Sequence, residues 1–435
     1  MPDSWIYNPS VECVLRGELE RLQLERLREV VYRIYNNNYH YRKKMKEAKI
    51  SPEDIKSLED IKKLPHTTKE DLRETQPFGY LVTSFESVVE VHGTSGTTGE
   101  PVFVYYTSND IENWSDIMAR SLAAAGLTKR DVLQITPSFS LFTGGFGFYY
   151  GARRIGATIV PTGPGYSRRQ IYVMQKLGTT MLTGIANYAI RLAEVAIEMG
   201  IDPAKDTKVR KGVFGAEMWS DAMRKKIESI WDMETFDIYG MAELYGPGVA
   251  IDCQYHNGLH VWEDHFIVEV IDPKTGEPVD VEEKGELVFT TLTKDAMPLI
   301  RYRTRDVSKL LDQKTCDCGR THRKIDRIQG RTDDMFIING VNIWPTAIET
   351  VLMSNPLVGN EYQIIVERRP SEDILVVKVE AAKKLSEGDK KALTKKLEYE
   401  LRERILVTPI VEVVDPGALP RFDGKAKRVI IKSAD

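Results

Sequence analysis

The chain has 435 residues, with 60 Lys and Arg against 64 Asp and Glu, a net charge of −4. Hydrophobic residues make up 42% and charged residues 29%, the balance of a soluble globular chain rather than a disordered or fibrous one. The length predicts about two to four domains and a core that needs no staples, and the even charge leaves no electrostatic footprint for nucleic acid.

The N-terminus, Met1-Pro-Asp-Ser-Trp-Ile-Tyr7, lacks the basic and apolar regions of an export signal. No run of about 18 apolar residues predicts a membrane span. A cytoplasmic location is therefore expected, without a membrane partner. The four cysteines, Cys13, Cys253, Cys316 and Cys318, read as reduced thiols or as a metal site.

The first 75 residues read as charged helices. Leu24, Leu27, Val31 and Ile34 recur at helical spacing, and Thr67-Thr68-Lys69-Glu70 supplies a threonine N-cap. From about 88 to 240, apolar runs at 132–135, 157–160, 180–182, 212–214 and 236–238 alternate with helical stretches such as 189–200 and 220–231. That alternation predicts an α/β domain with a layered, mostly parallel sheet, whose ligands sit at the carboxyl ends of the strands. Residues 266–271, 285–290 and 307–311 predict a β-rich subdomain within about 250–330. After about 332 a small α+β unit is expected, with helices at 345–353 and 389–405 and strands at 335–338, 363–366, 374–379 and 410–414. The division is a large domain over 1–332 and a smaller one over 333–435.

The most informative stretch is Val91-His-Gly-Thr-Ser-Gly-Thr-Thr-Gly-Glu-Pro101. Ser95, Gly96, Thr97, Thr98 and Gly99 combine tight turning, close backbone approach and short hydroxyl donors, which together suit a phosphate. It is not the Walker pattern, which ends in Gly-Lys-Ser/Thr.

This loop resembles the phosphate loop of the adenylate-forming superfamily of acyl-CoA synthetases. Four more segments resemble that superfamily's motifs in the same order: Asp237-Ile-Tyr-Gly-Met-Ala-Glu243; Tyr302-Arg-Thr-Arg-Asp306; Gly330-Arg-Thr-Asp-Asp334 followed by Asn339-Gly340 and Trp344-Pro345; and Pro420-Arg-Phe-Asp-Gly-Lys425. Within the superfamily, 137–152 and 239–248 resemble the phenylacetate-CoA ligase group. The resemblance implies an AMP-forming ligase that joins an aryl-acetic acid to ATP and then to CoA, in phenylacetate catabolism, and acts as a homodimer.

The resemblance also implies roles. Lys425 would bridge the substrate carboxylate and the α-phosphate, although Lys427 and Arg428 lie close by. Glu243 would hold Mg2+, since hard cations prefer carboxylate oxygens. Tyr239 would stack on adenine, framed by Gly215, Ala216 and Glu217, with Asp237, Gly240, Met241 and Ala242 around it. Asp306 would accept from the ribose hydroxyls, and Arg331 would contact ribose or phosphate. Asp333 matches the hinge about which the C-terminal domain swings, and Gly340 would face CoA. Phe139, Phe142, Phe146 and Pro247 are the acid-pocket candidates. Phenylacetate is the first expectation; indoleacetate, hydroxyphenylacetates and benzoate-like acids stay open. So do loading of a carrier protein in place of CoA, and a non-catalytic nucleotide sensor. Two positions depart from the superfamily's pattern: Glu100 stands where a Lys usually follows the phosphate loop, and Arg305 where Thr-Gly-Asp has glycine.

Cys316-x-Cys318, with Cys253-x6-His260 drawn from the same β-rich region, suits a closed tetrahedral zinc site. His256 and His322 compete with His260 for the fourth position. No role is expected for Cys13.

Overall fold

The computed structural model describes residues 5–94, 100–312, 315–338, 341–368, 373–421 and 428–432. Among them the strands form five sheets. The largest has eight strands, in the order Lys324–Ile325, Leu259–Val261, Gly246–Ile251, Glu234–Met241, Lys211–Gly215, Met181–Gly184, Val132–Ile135 and Thr158–Pro161. From Thr158–Pro161 to Glu234–Met241 every pairing is parallel. The three strands beyond are antiparallel.

The parallel part forms where short, nearly continuous apolar runs sit between helices, as burial on both faces requires. Met181–Gly184 is buried throughout. The helices Gly144–Ile155, Ser167–Leu177, Ala186–Glu198 and Asp221–Trp231 supply the cover. Ser220 caps the last of these by accepting from Met223 N, an N-cap contact worth about 1 kcal/mol. Thr68 caps Lys69–Glu74 in the same way, and its capping box is completed by Asp71.

A four-stranded antiparallel sheet runs Phe266–Ile271, Gly285–Thr291, Tyr302–Ser308 and Gly330–Arg331. Its third strand corrects the expectation of a strand at 307–311. The alternation is strict, but the buried face carries Tyr302, Thr304, Asp306 and Ser308. A polar inward face hides a strand from a hydrophobicity reading.

The phosphate-loop segment connects the two strands of a hairpin, Val88–Gly93 and Phe103–Thr107, paired through Gly93 and Phe103. The C-terminal unit is a separate sheet in the order Ile410–Val414, Ile374–Ala381, Val358–Glu367 and Val429–Lys432. Helices Pro345–Met353 and Glu387–Ile405 pack on it, the latter through Leu393, Leu397 and Leu401. One apolar cluster joins this unit to the large body, running from Trp219 and Met223 to Ile348 and Leu352. No described helix is long and apolar enough to cross a membrane.

Candidate active site

The carboxyl ends of Lys211–Gly215 and Glu234–Met241 lie side by side, with Gly215 opposite Ile238. Residues expected to meet a nucleotide follow from both. Gly240 pairs with Pro247, and a Cβ there would meet the Gly246 carbonyl oxygen at 2.0 Å. Only glycine lets these strands approach so closely.

Beyond it, three elements converge. The Tyr239 hydroxyl donates to Asp306 Oδ2 at 2.7 Å, and Arg331 Nη1 donates to Asp306 Oδ1 at 2.9 Å. Burial pushes the Asp306 carboxyl up to about 6, with Arg331 pulling the other way. One face of the Tyr239 ring stacks on Phe289 at 5.9 Å. Arg331 continues to Asp333, donating from Nε at 2.9 Å, and Asp333 also accepts from Arg305. Burial works upward on Asp333, but the two guanidinium groups outweigh it and hold its carboxyl below the usual range.

Arg305 has φ 65°, in the left-handed region that glycine fills without strain. Here Arg305 is held there by Glu286, which accepts from its backbone N–H, and by ion pairs with Glu70 and Asp333. The departure from Thr-Gly-Asp thus keeps the backbone shape and leaves Asp306 in place.

Glu243 is buried. Its Oε1 accepts from the Tyr302 hydroxyl at 3.1 Å and lies 3.2 Å from Lys69 Nζ. The turn bearing it is pinned by the Tyr106 hydroxyl, which reaches the Ala242 and Tyr245 carbonyls, and by Lys294, which donates to the Glu243 carbonyl. Burial pushes the Lys294 ammonium down to about 8, against Asp110 and Glu243; it sits over the rings of Tyr106 and Tyr245. Sequence reasoning missed Lys69, Tyr302 and Lys294 as neighbours of Glu243. Thr67-Thr68-Lys69 read only as a cap, and Tyr302 and Lys294 lie more than 50 residues away from Glu243 in the chain.

The other expected residues divide. Met241 and Ala242 lie at the end of this strand. The Asp237 carboxylate faces Arg327 Nε at 2.9 Å and Trp219 Nε1 at 3.2 Å, which commits it to the protein. Ala216 is exposed with φ 64°, and Glu217 accepts from Asn187. Ser95, Gly96, Thr97, Thr98, Gly99, Gly340 and Lys425 lie outside the described residues; Glu100 is exposed.

Phe139 and Phe146 meet edge to face at 5.5 Å, and His92 and Tyr150 extend the cluster. Gly147 lets its helix reach Pro247, since a Cβ there would meet the proline ring at 2.7 Å. Phe142 is 42% exposed and joins none of these described ring contacts. A cleft of about 870 Å3 opens elsewhere, at the amino end of Glu234–Met241, lined by Arg224, Asp252 and His256 among others.

Cys253, His260, Cys316 and Cys318 are all buried, with ligand atoms within 4.8 Å of one another. The Cys253 and Cys316 sulfurs are 3.8 Å apart, and Cys318 Sγ is 3.4 Å from His260 Nε2. A disulfide needs about 2.05 Å. A tetrahedron with metal–sulfur bonds of about 2.3 Å has sulfur–sulfur edges of about 3.8 Å, so the donor set fits zinc. His256 is instead paired with Asp252 and Glu234, and His322 Nδ1 accepts from Glu263 N.

Comparison with known proteins gives the family. Residues 43–292 match the AMP-binding enzyme family, and residues 340–432 the AMP-binding enzyme C-terminal domain. The chain is 42% identical to a phenylacetate-coenzyme A ligase of Aromatoleum evansii, over 97% of this chain and 96% of the relative. It is 41% identical to the Escherichia coli (strain K12) protein of the same name, over 96% of each. It superposes on 2-hydroxyisobutyryl-CoA ligase in the postadenylation state, with R3-HIB-AMP, at a TM-score of 0.93 and 29% identity, covering 99% of this chain and 93% of that one. With the same enzyme bound to 2-HIB-AMP and CoA in the thioesterification state the TM-score is 0.74, at 30% identity over 100% and 94% of the two chains. A buried polar corner at adjacent strand ends, a separate C-terminal sheet and these likenesses lead to one conclusion: the chain belongs to the AMP-binding, adenylate-forming enzyme family, in its phenylacetate-CoA ligase group.

Proposed function

We propose that the chain activates phenylacetate with ATP and transfers it to CoA. The observation that carries this reading is the corner at the carboxyl strand ends, where Tyr239, Asp306, Arg331 and Glu243 converge. A carboxylate oxygen of the acid attacks the α-phosphorus and pyrophosphate leaves. The CoA sulfur then attacks the acyl carbon, AMP leaves and the thiol proton passes to solvent. Asp306 accepts from the ribose, Arg331 steadies the nucleotide, and Lys425 lies between the two anions, offsetting their repulsion. Glu243 would hold Mg2+, which when bound supplies charge neutralisation at the phosphates. The Phe139–Phe146 pair with Pro247 forms the apolar wall for the aryl ring, with offset and edge-on packing. The C-terminal unit, from about 333, changes pose about Asp333 between the two steps, with Gly340 on the CoA side.

Cys253, His260, Cys316 and Cys318 would hold a structural Zn2+ in a closed site. Its setting supports a stapling role. Arg320, two residues on from Cys318, makes a fully buried pair with Glu12 at 2.8 Å, and Thr321 N and Oγ1 donate to the Glu12 and Val14 carbonyls. The knuckle thereby ties down the N-terminal segment. A homodimeric, cytoplasmic enzyme completes the proposal.

The test is a panel of aryl and aliphatic acids assayed for AMP release with and without CoA. Phenylacetate should give the highest kcat/KM with CoA present. Indoleacetate or a benzoate turning over faster would overturn the substrate assignment, since a methylene in an apolar pocket discriminates by only about 1–3 kcal/mol.

A further inference from the structure

One buried charge has no task in the function above. Arg428 lies three residues beyond Lys425 and is 8% exposed. Its guanidinium spans the junction between the C-terminal unit and the large body. Nη2 donates to Asn187 Oδ1 at 2.9 Å and to the Asn360 carbonyl at 3.3 Å. Nη1 donates to Glu361 Oε2 and the Tyr362 carbonyl, both at 3.3 Å. The group sits 4.2 Å over the Tyr362 ring.

Asn187 is engaged from both sides. It lies in the first turn of Ala186–Glu198. Its backbone N–H donates to Glu217 Oε1 at 2.8 Å and its side-chain NH2 to Oε2 at 3.0 Å. The amide oxygen therefore faces a guanidinium while its nitrogen faces a carboxylate, which no aspartate can do. Glu217 closes the segment that holds Ala216 at φ 64°. A second crossing runs beside the first: the Tyr362 hydroxyl donates to Glu349 Oε2 at 2.6 Å, and Glu349 Oε1 accepts from Ser220 N at 3.2 Å. Arg428 is a cation that draws down both Glu217 and Glu349, while burial raises both carboxyl groups.

The shortest of these Arg428 hydrogen bonds, at 2.9 Å, is the one that crosses the junction. The arrangement that holds this junction goes with one pose: the chain matches one ligase at 0.93 in the postadenylation state and at 0.74 in the thioesterification state.

We infer that Arg428, acting through Asn187 and Glu217, is a positioning residue for adenylation: it clasps the C-terminal unit to the 215–217 segment in the pose that resembles the postadenylation state and lets go for thioester formation. The inference rests on the two-pose reading proposed above. Removing one partner of a buried polar pair leaves the others uncompensated, so the clasp weakens sharply rather than gradually.

Two half-reactions separate a positioning role from a structural one. The first is pyrophosphate release from ATP and phenylacetate without CoA. The second is phenylacetyl-CoA formation from supplied phenylacetyl-adenylate and CoA. Arg428→Gln and the near-isosteric Asn187→Asp should each slow the first by about ten- to a hundredfold, the scale of a lost alignment. Both should leave the second within about twofold, because that step does not use the clasp. Arg428→Lys, which keeps the charge, should recover part of the first. Equal losses in both half-reactions, or an unchanged first half-reaction in folded Asn187→Asp, overturn the inference. If the wild-type protein itself releases no pyrophosphate, the failure lies with the proposed function and not with the clasp.

Discussion

The corner around Glu243 and Asp306 and the junction around Arg428 are both buried and charged, yet they are built differently. At the corner the groups that touch Glu243 and Asp306 all come from the large body, namely Tyr239, Tyr302, Lys69 and Arg331, with Asp333 of the boundary reached through Arg331. At the junction the key bonds cross between units, from Arg428 to Asn187 and from Ser220 to Glu349. A corner closed on itself stays preorganised through the cycle, which is what transition-state stabilisation needs. A junction closed across units can exist in one pose and be absent in another, which is what alternation needs.

The largest effect is expected at Lys425, the residue proposed to serve the first step. Lys425→Ala should lower pyrophosphate release by about a hundredfold or more, the scale of removing one preorganised charge, while thioester formation from supplied adenylate continues. Next comes Asp306→Asn, inside the corner. It should raise KM for ATP by about tenfold, the loss of a charge-assisted hydrogen bond, and slow the assay that starts from ATP whether or not CoA is present. Substitution at the junction, by contrast, should split the half-reactions.

The pH dependence sharpens the same contrast. The folded-state value of Asp306 is about 6, against 3.8 for an unperturbed carboxyl. The folded protein thus binds this proton more tightly than the unfolded chain. Its contribution to stability is present below about pH 4 and is lost as pH rises through about 6. The proposed ribose contact, which needs the ionised acceptor, runs the opposite way. KM for ATP should fall between about pH 5 and about pH 7, and Asp306→Asn should flatten that profile.

The smallest effect on catalysis is expected from the proposed zinc site. Stoichiometric zinc is expected in the purified protein. Chelation, or Cys316→Ser, should lower Tm by several degrees, at roughly 2–4 °C per kcal/mol for a sizeable domain. Proteolysis should then begin near residues 5–15, while KM for ATP changes little. Protein that is free of zinc and equally stable would end the stapling proposal.

Much of this arrangement is legible in the chain before any coordinates. The strand Val132–Ile135 and the helix Pro345–Met353 have the bounds expected from apolar runs and capping. Tyr239, Glu243 and Asp306 stand out through their resemblance to the superfamily's motifs. Other parts are hidden for physical reasons. Tyr302–Ser308 turns polar residues inward, Gly246–Ile251 opens with Gly-Pro-Gly, and Val429–Lys432 is a short strand added beside Val358–Glu367. The partners of the site residues come from far along the chain. Lys69 meets Glu243, and Arg428 meets Asn187 across 241 positions. The sequence favours His260 with His256 and His322 as competitors, and the fold brings His260 to the thiols while giving His256 and His322 other partners.

One chain is expected to perform two chemically distinct steps on phenylacetate, and a single-turnover experiment with excess enzyme, ATP and labelled phenylacetate separates them. Without CoA, phenylacetyl-adenylate and pyrophosphate should form; addition of CoA should convert the adenylate to phenylacetyl-CoA and AMP. Formation of ADP and phosphate, or of no acyl product in either stage, would contradict it.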